Sequence, residues 1–315
     1  MALTVANALV PVFFVMCLGY FAGRRGMIDN RNVAALNVLV LDFALPAALF
    51  VATAQTPRQA ILEDWRLFLL LAISMLAIFG VSLFLQLKLF KRTLGEGSLL
   101  ALSLALPNYV AVGLPLFANL FGQQSTVTVA VAIVCGNLTM VPLGLVLLET
   151  DRGESHPGNT LRRFLAALWR SIRKPLVILP AAGIALSMAG FVLPPLWVRT
   201  FGLLGQTTAA VALFLTGLIL SSEPLSFDLN IIFAVALKNL AHPLLTFIIA
   251  SLMNCPTQMV REAVLLTAIP AGFIGVLFGI AYKAKSLEAG SVLLLSSLTS
   301  ALTLAITILL LPLIR

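Results

Sequence analysis

The chain has 315 residues, 60% hydrophobic and 10% charged, with a formal net charge of +8 and a mean hydropathy of +1.07. A soluble globular chain carries about 25% charged residues, so this one cannot face water on all sides, and the water-soluble classes are excluded. Its charges cluster between long apolar runs, so the excess of Lys and Arg points to the rim of a membrane and not to nucleic acid.

A bilayer core takes roughly 20 apolar residues per helix. Ten such runs are predicted, over residues 3–23, 33–53, 67–87, 98–119, 127–148, 175–193, 201–220, 230–253, 263–282 and 289–314. In the first, no Lys or Arg precedes the apolar stretch, whereas a cleavable signal peptide needs a basic leader. Arg24 and Arg25 follow it instead, so the run is expected to stay as a transmembrane helix. The second run holds Asp42, one turn before Pro46, the only acidic residue inside a predicted span. A lone carboxylate in hydrocarbon is costly, so it is expected to be protonated or paired. Two roles stay open for it: a proton-coupling site, or a structural carboxylate bonded to backbone that Pro46 opens.

The fourth run contains LALPNYVAVGLPLF, Leu104 to Phe117. Proline removes a backbone donor and clashes with the preceding turn, so Pro107 and Pro115, with Asn108 and Gly113 between them, break a helix in the middle of a membrane. The fifth run carries Asn137. The connection over residues 149–174 contains TLRRFLAALWRSIRKP, whose Leu161, Phe164, Leu165, Leu168, Trp169 and Ile172 form one helical stripe. That pattern predicts an amphipathic helix lying on the membrane surface. Gln206 and Thr207 are neutral polar residues of the seventh run, with interhelical hydrogen bonding as their default use. In the eighth, Lys238 and His242 are four apart and share a face. Lys238 is read as structural or as balancing the charge of an anion. His242 is read as bonding a carbonyl freed by Pro243, or as a proton relay. The ninth run repeats the break: LTAIPAGFIGVLFG, Leu266 to Gly279, with Pro270, Gly272 and Gly275 at mid-span.

The connections after odd-numbered runs hold fourteen Lys and Arg, against five on the other side. This bias places the odd connections in the cytoplasm and both termini outside, in the periplasm of a bacterial cytoplasmic membrane. The interrupted runs are the fourth and the ninth, five apart. The sequence thus predicts an all-α membrane protein of two inverted five-helix repeats, residues 1–148 and 175–315, joined by 149–174. Paired interruptions in inverted repeats point to the substrate site of a secondary transporter. Freed backbone groups are tolerated where they face a cavity, and half-helix N-termini favour an anion.

At these residues the chain resembles the auxin efflux carrier family, through the breaks at Pro107 and Pro270, NVLVLDFALPAALF (Asn37 to Phe50) and KNLAHPLLTF (Lys238 to Phe247). The resemblance covers essentially the whole chain and is similar to that of bacterial malonate and other organic-acid carriers. It implies the fold of the bile-acid and sodium–proton antiporter group. There, helices one, two, six and seven form a scaffold, and the other six form a transport domain that moves like an elevator. It also implies a homodimer through the scaffold. Auxin carriers place an asparagine after the proline in both broken helices. Here Asn108 follows Pro107 but Ala271 follows Pro270, so a carboxylate smaller than auxin is expected.

The expected function is therefore secondary transport of a small organic anion, a dicarboxylate such as malonate, coupled to protons or to the membrane potential before sodium. Pro107, Asn108, Gly113, Pro270, Ala271, Gly272, Gly275, Asn137 and Gln206 are the candidate substrate residues. Asp42, Lys238 and His242 are the candidate coupling residues. The alternatives are an anion channel, which would need repeated polar rings, and an efflux carrier for an auxin-like monocarboxylate. No HExxH, GxSxG or P-loop pattern supports an enzyme or a primary pump. Cys17, Cys135 and Cys255 show no paired spacing, and neither metal nor cofactor is expected.

Overall fold

The computed structural model describes residues 2–28, 30–122, 125–151, 162, 165, 169, 172–222, 227–281 and 287–314. Among the described residues the regular elements are helices, with one isolated bridge. Seven helical stretches among these residues are long and apolar enough to cross a membrane: Ala6–Arg24, Ala35–Ala54, Trp65–Lys88, Thr126–Leu148, Pro195–Ser222, Leu229–Leu252 and Glu288–Leu313. They fall on the first, second, third, fifth, seventh, eighth and tenth expected runs. The sixth run is the shorter helix Pro175–Met188. The fourth is divided into Leu94–Ala105 and Tyr109–Phe121, and the ninth into Thr257–Ala268 and Ile274–Ala281. Most of the connection expected over 149–174, with its amphipathic helix, lies outside the described residues, although Leu165, Trp169 and Ile172 are exposed.

The chain forms two compact units. One takes Met1–Phe68, Tyr109–Val134 and Ile172–Ser222; the other takes Leu69–Asn108, Cys135–Ser171 and Glu223–Arg315. Both are assembled from separated stretches of sequence.

In the first unit, Ala2–Arg24 packs along Thr207–Ser222. Small residues let the two backbones touch. A Cβ on Gly19 would strike the Phe214 carbonyl, and one on Gly217 would strike the Met16 carbonyl. Leu45–Ala54 packs on Pro175–Met188 in the same way. There, Thr53 Oγ1 donates to the Leu49 carbonyl at 2.8 Å and lies 3.1 Å from the Pro180 carbonyl. The space a Gly183 Cβ would need is filled by Thr53 and by the Phe50 carbonyl. With no hydrophobic drive between helices in lipid, such close contacts and interhelical hydrogen bonds supply the cohesion.

Among the described residues, three wide, π-helical turns punctuate the spans: Leu39–Ala44, Tyr109–Gly113 and Leu237–Ala241. Each leads directly into a helix whose second residue is a proline, Pro46, Pro115 or Pro243. A proline ring clashes with the carbonyl four residues back. One extra residue in the turn moves that carbonyl aside and lets the helix continue. Asp42 sits four residues before Pro46 in the first of these turns. It is exposed on the surface of the chain within the candidate span Ala35–Ala54, with Phe43 beside it.

The second unit is tied at one end by polar contacts. Thr93 and Glu96 form a reciprocal capping box on Leu94–Ala105. The Asp228 carboxylate accepts from the Ile231 amide at 2.9 Å and caps Leu229–Ala236. Gln86 and Asn230 exchange two carboxamide hydrogen bonds of 2.6 and 3.0 Å, and Arg92 pairs with Glu288. Further in, Leu100, Leu104, Ile231, Ala234, Ala271 and Val292 form a buried apolar cluster.

Gly217→Val should force the first unit's two helices apart at the Met16 carbonyl. The expected loss is about 1–3 kcal/mol, the usual cost of overpacking, read as a lower midpoint of thermal unfolding in detergent. An unchanged midpoint would show that the close approach carries no stability.

Candidate functional site

Both breaks begin from the same local rule. The residue before a proline is held out of the helical region and driven to extended backbone. Leu94–Ala105 therefore stops at Leu106, which has φ −107° and ψ 89°. Thr257–Ala268 stops at Ile269, which has φ −56° and ψ 140°. The two extended pieces run antiparallel past each other, with Pro107 bridged to Ala271.

Each break orphans backbone groups, and the partners of those groups define the site. In a continuous helix the Ser103 carbonyl would accept from residue 107, but Pro107 has no N–H. It accepts instead from the Gly272 amide at 3.0 Å. The Asn108 amide, which would have served Leu104, donates to the Pro270 carbonyl at 3.0 Å. The Ala271 amide, which would have served Thr267, donates to Ser296 Oγ at 2.9 Å. Ser296 Oγ in turn donates to Asn239 Oδ1 at 2.7 Å, while Asn239 Nδ2 donates to the Ser296 carbonyl at 3.1 Å and to Thr299 Oγ1 at 2.9 Å.

A further carbonyl is served from the stretch Leu229–Leu252. Lys238 Nζ donates to the Thr267 carbonyl at 2.7 Å. His242 Nδ1 lies 3.3 Å from Lys238 Nζ. Lys238 and His242 are both fully buried (0% exposed). They sit one turn apart around the wide turn before Pro243, where Lys238 serves the break at Pro270.

Close approach is built into the glycines. A Cβ on Gly272 would strike the Leu106 carbonyl, and one on Gly275 would strike Ser103 Oγ and the Leu99 carbonyl. Ile274–Ala281 therefore lies directly on Leu94–Ala105, with no side chain between them.

Of the residues expected from the sequence, the second unit brings together Pro107, Asn108, Pro270, Ala271, Gly272, Gly275, Lys238 and His242. Asn137 belongs to the same unit and is half-buried on Thr126–Asp151. Asp42, Gly113 and Gln206 belong to the first unit. There, Gln206 ends the helix Pro195–Gly205 and lines a cleft of about 520 Å3 with Gln55, Asn119, Thr126 and Thr208. Each of these polar lining residues is uncharged.

Sequence reasoning missed Ser103, Thr267 and Ser296, and gave Asn239 no role. A serine or threonine in an apolar helix gives no local sign of which backbone group it serves. Only the register between distant helices reveals it.

Comparison with known proteins bears on this arrangement. The family described as "Membrane transport protein" matches residues 4–308. The chain belongs to that family. It is the auxin efflux carrier group that the sequence resembles, and the chain is accordingly a multi-pass membrane protein that handles a small-molecule substrate. Among family relatives, "Uncharacterized transporter YfdV" of Escherichia coli (strain K12) is 31% identical over 271 residues, 85% of each chain. The protein of that name from Shigella flexneri matches equally. A protein of Rhizobium meliloti (strain 1021) named "Putative malonate transporter" is 26% identical over 310 residues, 95% of this chain and 93% of its own.

Ser296→Ala should leave the buried Ala271 amide without an acceptor, at a cost of about 1–3 kcal/mol. Thermal unfolding should shift down accordingly. Thr299→Ala, which leaves the Ala271 amide its acceptor, should shift it less. Equal shifts would separate Ser296 from any special role at the crossing.

Proposed function

We propose that the chain is a secondary active transporter of a small organic anion, most fittingly a dicarboxylate such as malonate. It works by an elevator-type alternating-access mechanism driven by protons or by the membrane potential. In this reading the chain crosses a bacterial cytoplasmic membrane ten times, as two inverted five-helix repeats with both termini periplasmic. It acts as a carrier and not as an enzyme, and pairs with a second copy through helices one, two, six and seven.

The observation that carries the reading is the crossing of two proline-broken helices beside a fully buried lysine. Irregular backbone at membrane depth is tolerated only where protein or a polar cavity satisfies it, and such breaks mark transporter sites. The amides of Asn108, Ala271 and Gly272 hold the crossing itself. The carboxylate is then bound by the Asn108 carboxamide and by the starts of the half-helices that follow, toward Gly113 and Gly275. Pro107 and Pro270 shape those starts. Lys238 contributes positive charge to the site as well as closing the Thr267 carbonyl. Asn137 and Gln206 line the path with neutral polar groups. Asp42 carries the coupling proton, with His242 as its second titratable group. The name of the Rhizobium meliloti relative supports a dicarboxylate substrate.

Labelled malonate should enter proteoliposomes when an inward proton gradient is imposed, and other dicarboxylates should compete. Asn108→Ala should lower uptake about 10–100-fold, as expected for losing a hydrogen bond to a charged group. Wild-type uptake by that variant would remove Asn108 from the site. In a second experiment, Asp42→Asn should flatten the dependence of uptake on external pH. A pH profile like that of the wild type would take the coupling role away from Asp42.

A further inference from the structure

The second unit carries a groove that the transport reading leaves unused. It has a volume of about 420 Å3 and is lined by Leu240, Pro243, Leu244 and Phe247 on one side and by Thr303 to Ile314 on the other. Its walls are apolar and open to the surface: Leu244 is 60% exposed and Leu313 72%. From Thr303 to Leu313 the wall runs about 15 Å at 1.5 Å per residue. That is half of the roughly 30 Å hydrocarbon core, the depth of one leaflet.

The two ends of the groove differ. At the Ile314 end stands Arg261, whose Nη2 donates to the Ile314 carbonyl at 2.9 Å, a neutral partner that does not offset its charge. Its Nε is buried with no partner among the described residues. At the other end the lining reaches Asn239, whose carboxamide holds Ser296 under the Ala271 amide. A long apolar channel one leaflet deep, with a guanidinium at its mouth, matches an acyl chain attached to a phosphate.

We propose that this groove binds one anionic phospholipid, with an acyl chain along Leu240–Phe247 and Thr303–Leu313 and the phosphate at Arg261. The chain end then rests against Asn239, behind the crossing. Bound lipid thereby buttresses the hydrogen bonds that position Ala271.

The test is native mass spectrometry of the full chain in detergent, titrated separately with dioleoylphosphatidylglycerol, dioleoylphosphatidylcholine and oleic acid. The wild type should take up one phosphatidylglycerol first. Leu244→Trp and Thr307→Phe, which fill the groove from opposite walls, should each raise the concentration needed for that adduct about tenfold. Arg261→Gln should keep an adduct but lose the preference for phosphatidylglycerol over phosphatidylcholine. Adducts unchanged in both groove-filling variants would overturn the site. A preference for oleic acid, or a phosphatidylglycerol preference that survives Arg261→Gln, would overturn the assignment of the headgroup. The readout is lipid retention, so it stands or falls separately from malonate uptake.

Discussion

A proline inside a membrane helix creates a debt of hydrogen bonds that lipid cannot meet, and the second unit is organised around meeting it. Each unsatisfied backbone group in hydrocarbon costs several kcal/mol. Pro107 and Pro270 create such groups at two places, and the unit answers by bringing the two places together. The Gly272 amide serves the Ser103 carbonyl and the Asn108 amide serves the Pro270 carbonyl. Each broken helix thus supplies part of what the other lacks, and neither break is satisfied unless both helices are present.

Two further groups recruit the stretches Leu229–Leu252 and Glu288–Leu313. Lys238 takes the Thr267 carbonyl, and the Ser296–Asn239 pair takes the Ala271 amide. This changes how the buried lysine is understood. It is a C-terminal cap for a half-helix, donating to the Thr267 carbonyl at the crossing. The same logic reaches the wide turn at Leu237–Ala241, which makes room for Pro243 while placing Lys238 and His242 on the buried side.

The first unit solves a different problem, cohesion without hydrophobic drive. It uses glycine against backbone, at Gly19, Gly217 and Gly183, and threonine across helices, at Thr53. Its cleft around Gln206 and Asn119 is lined by uncharged polar and apolar groups. The lipid-length groove of the second unit adds a route by which the bilayer itself touches the network behind Ala271.

Read alone, the sequence determined the positions of the apolar runs, the two breaks, the family and the two buried ionisable residues of the eighth span. Each of these is local: hydropathy, the backbone rule for X–Pro and the rarity of charge in lipid act within a few residues. It also marked Asp42, and the structure puts that residue in the wide turn before Pro46, exposed on the surface of the chain. The tertiary structure alone decided who satisfies whom. That Thr267 faces Lys238, that Ser296 sits under Ala271 and that Gly272 passes against Leu106 are matters of register between segments 25 to 166 residues apart. No residue carries a mark of its distant partner, since a backbone carbonyl looks the same in every residue until packing brings a donor to it.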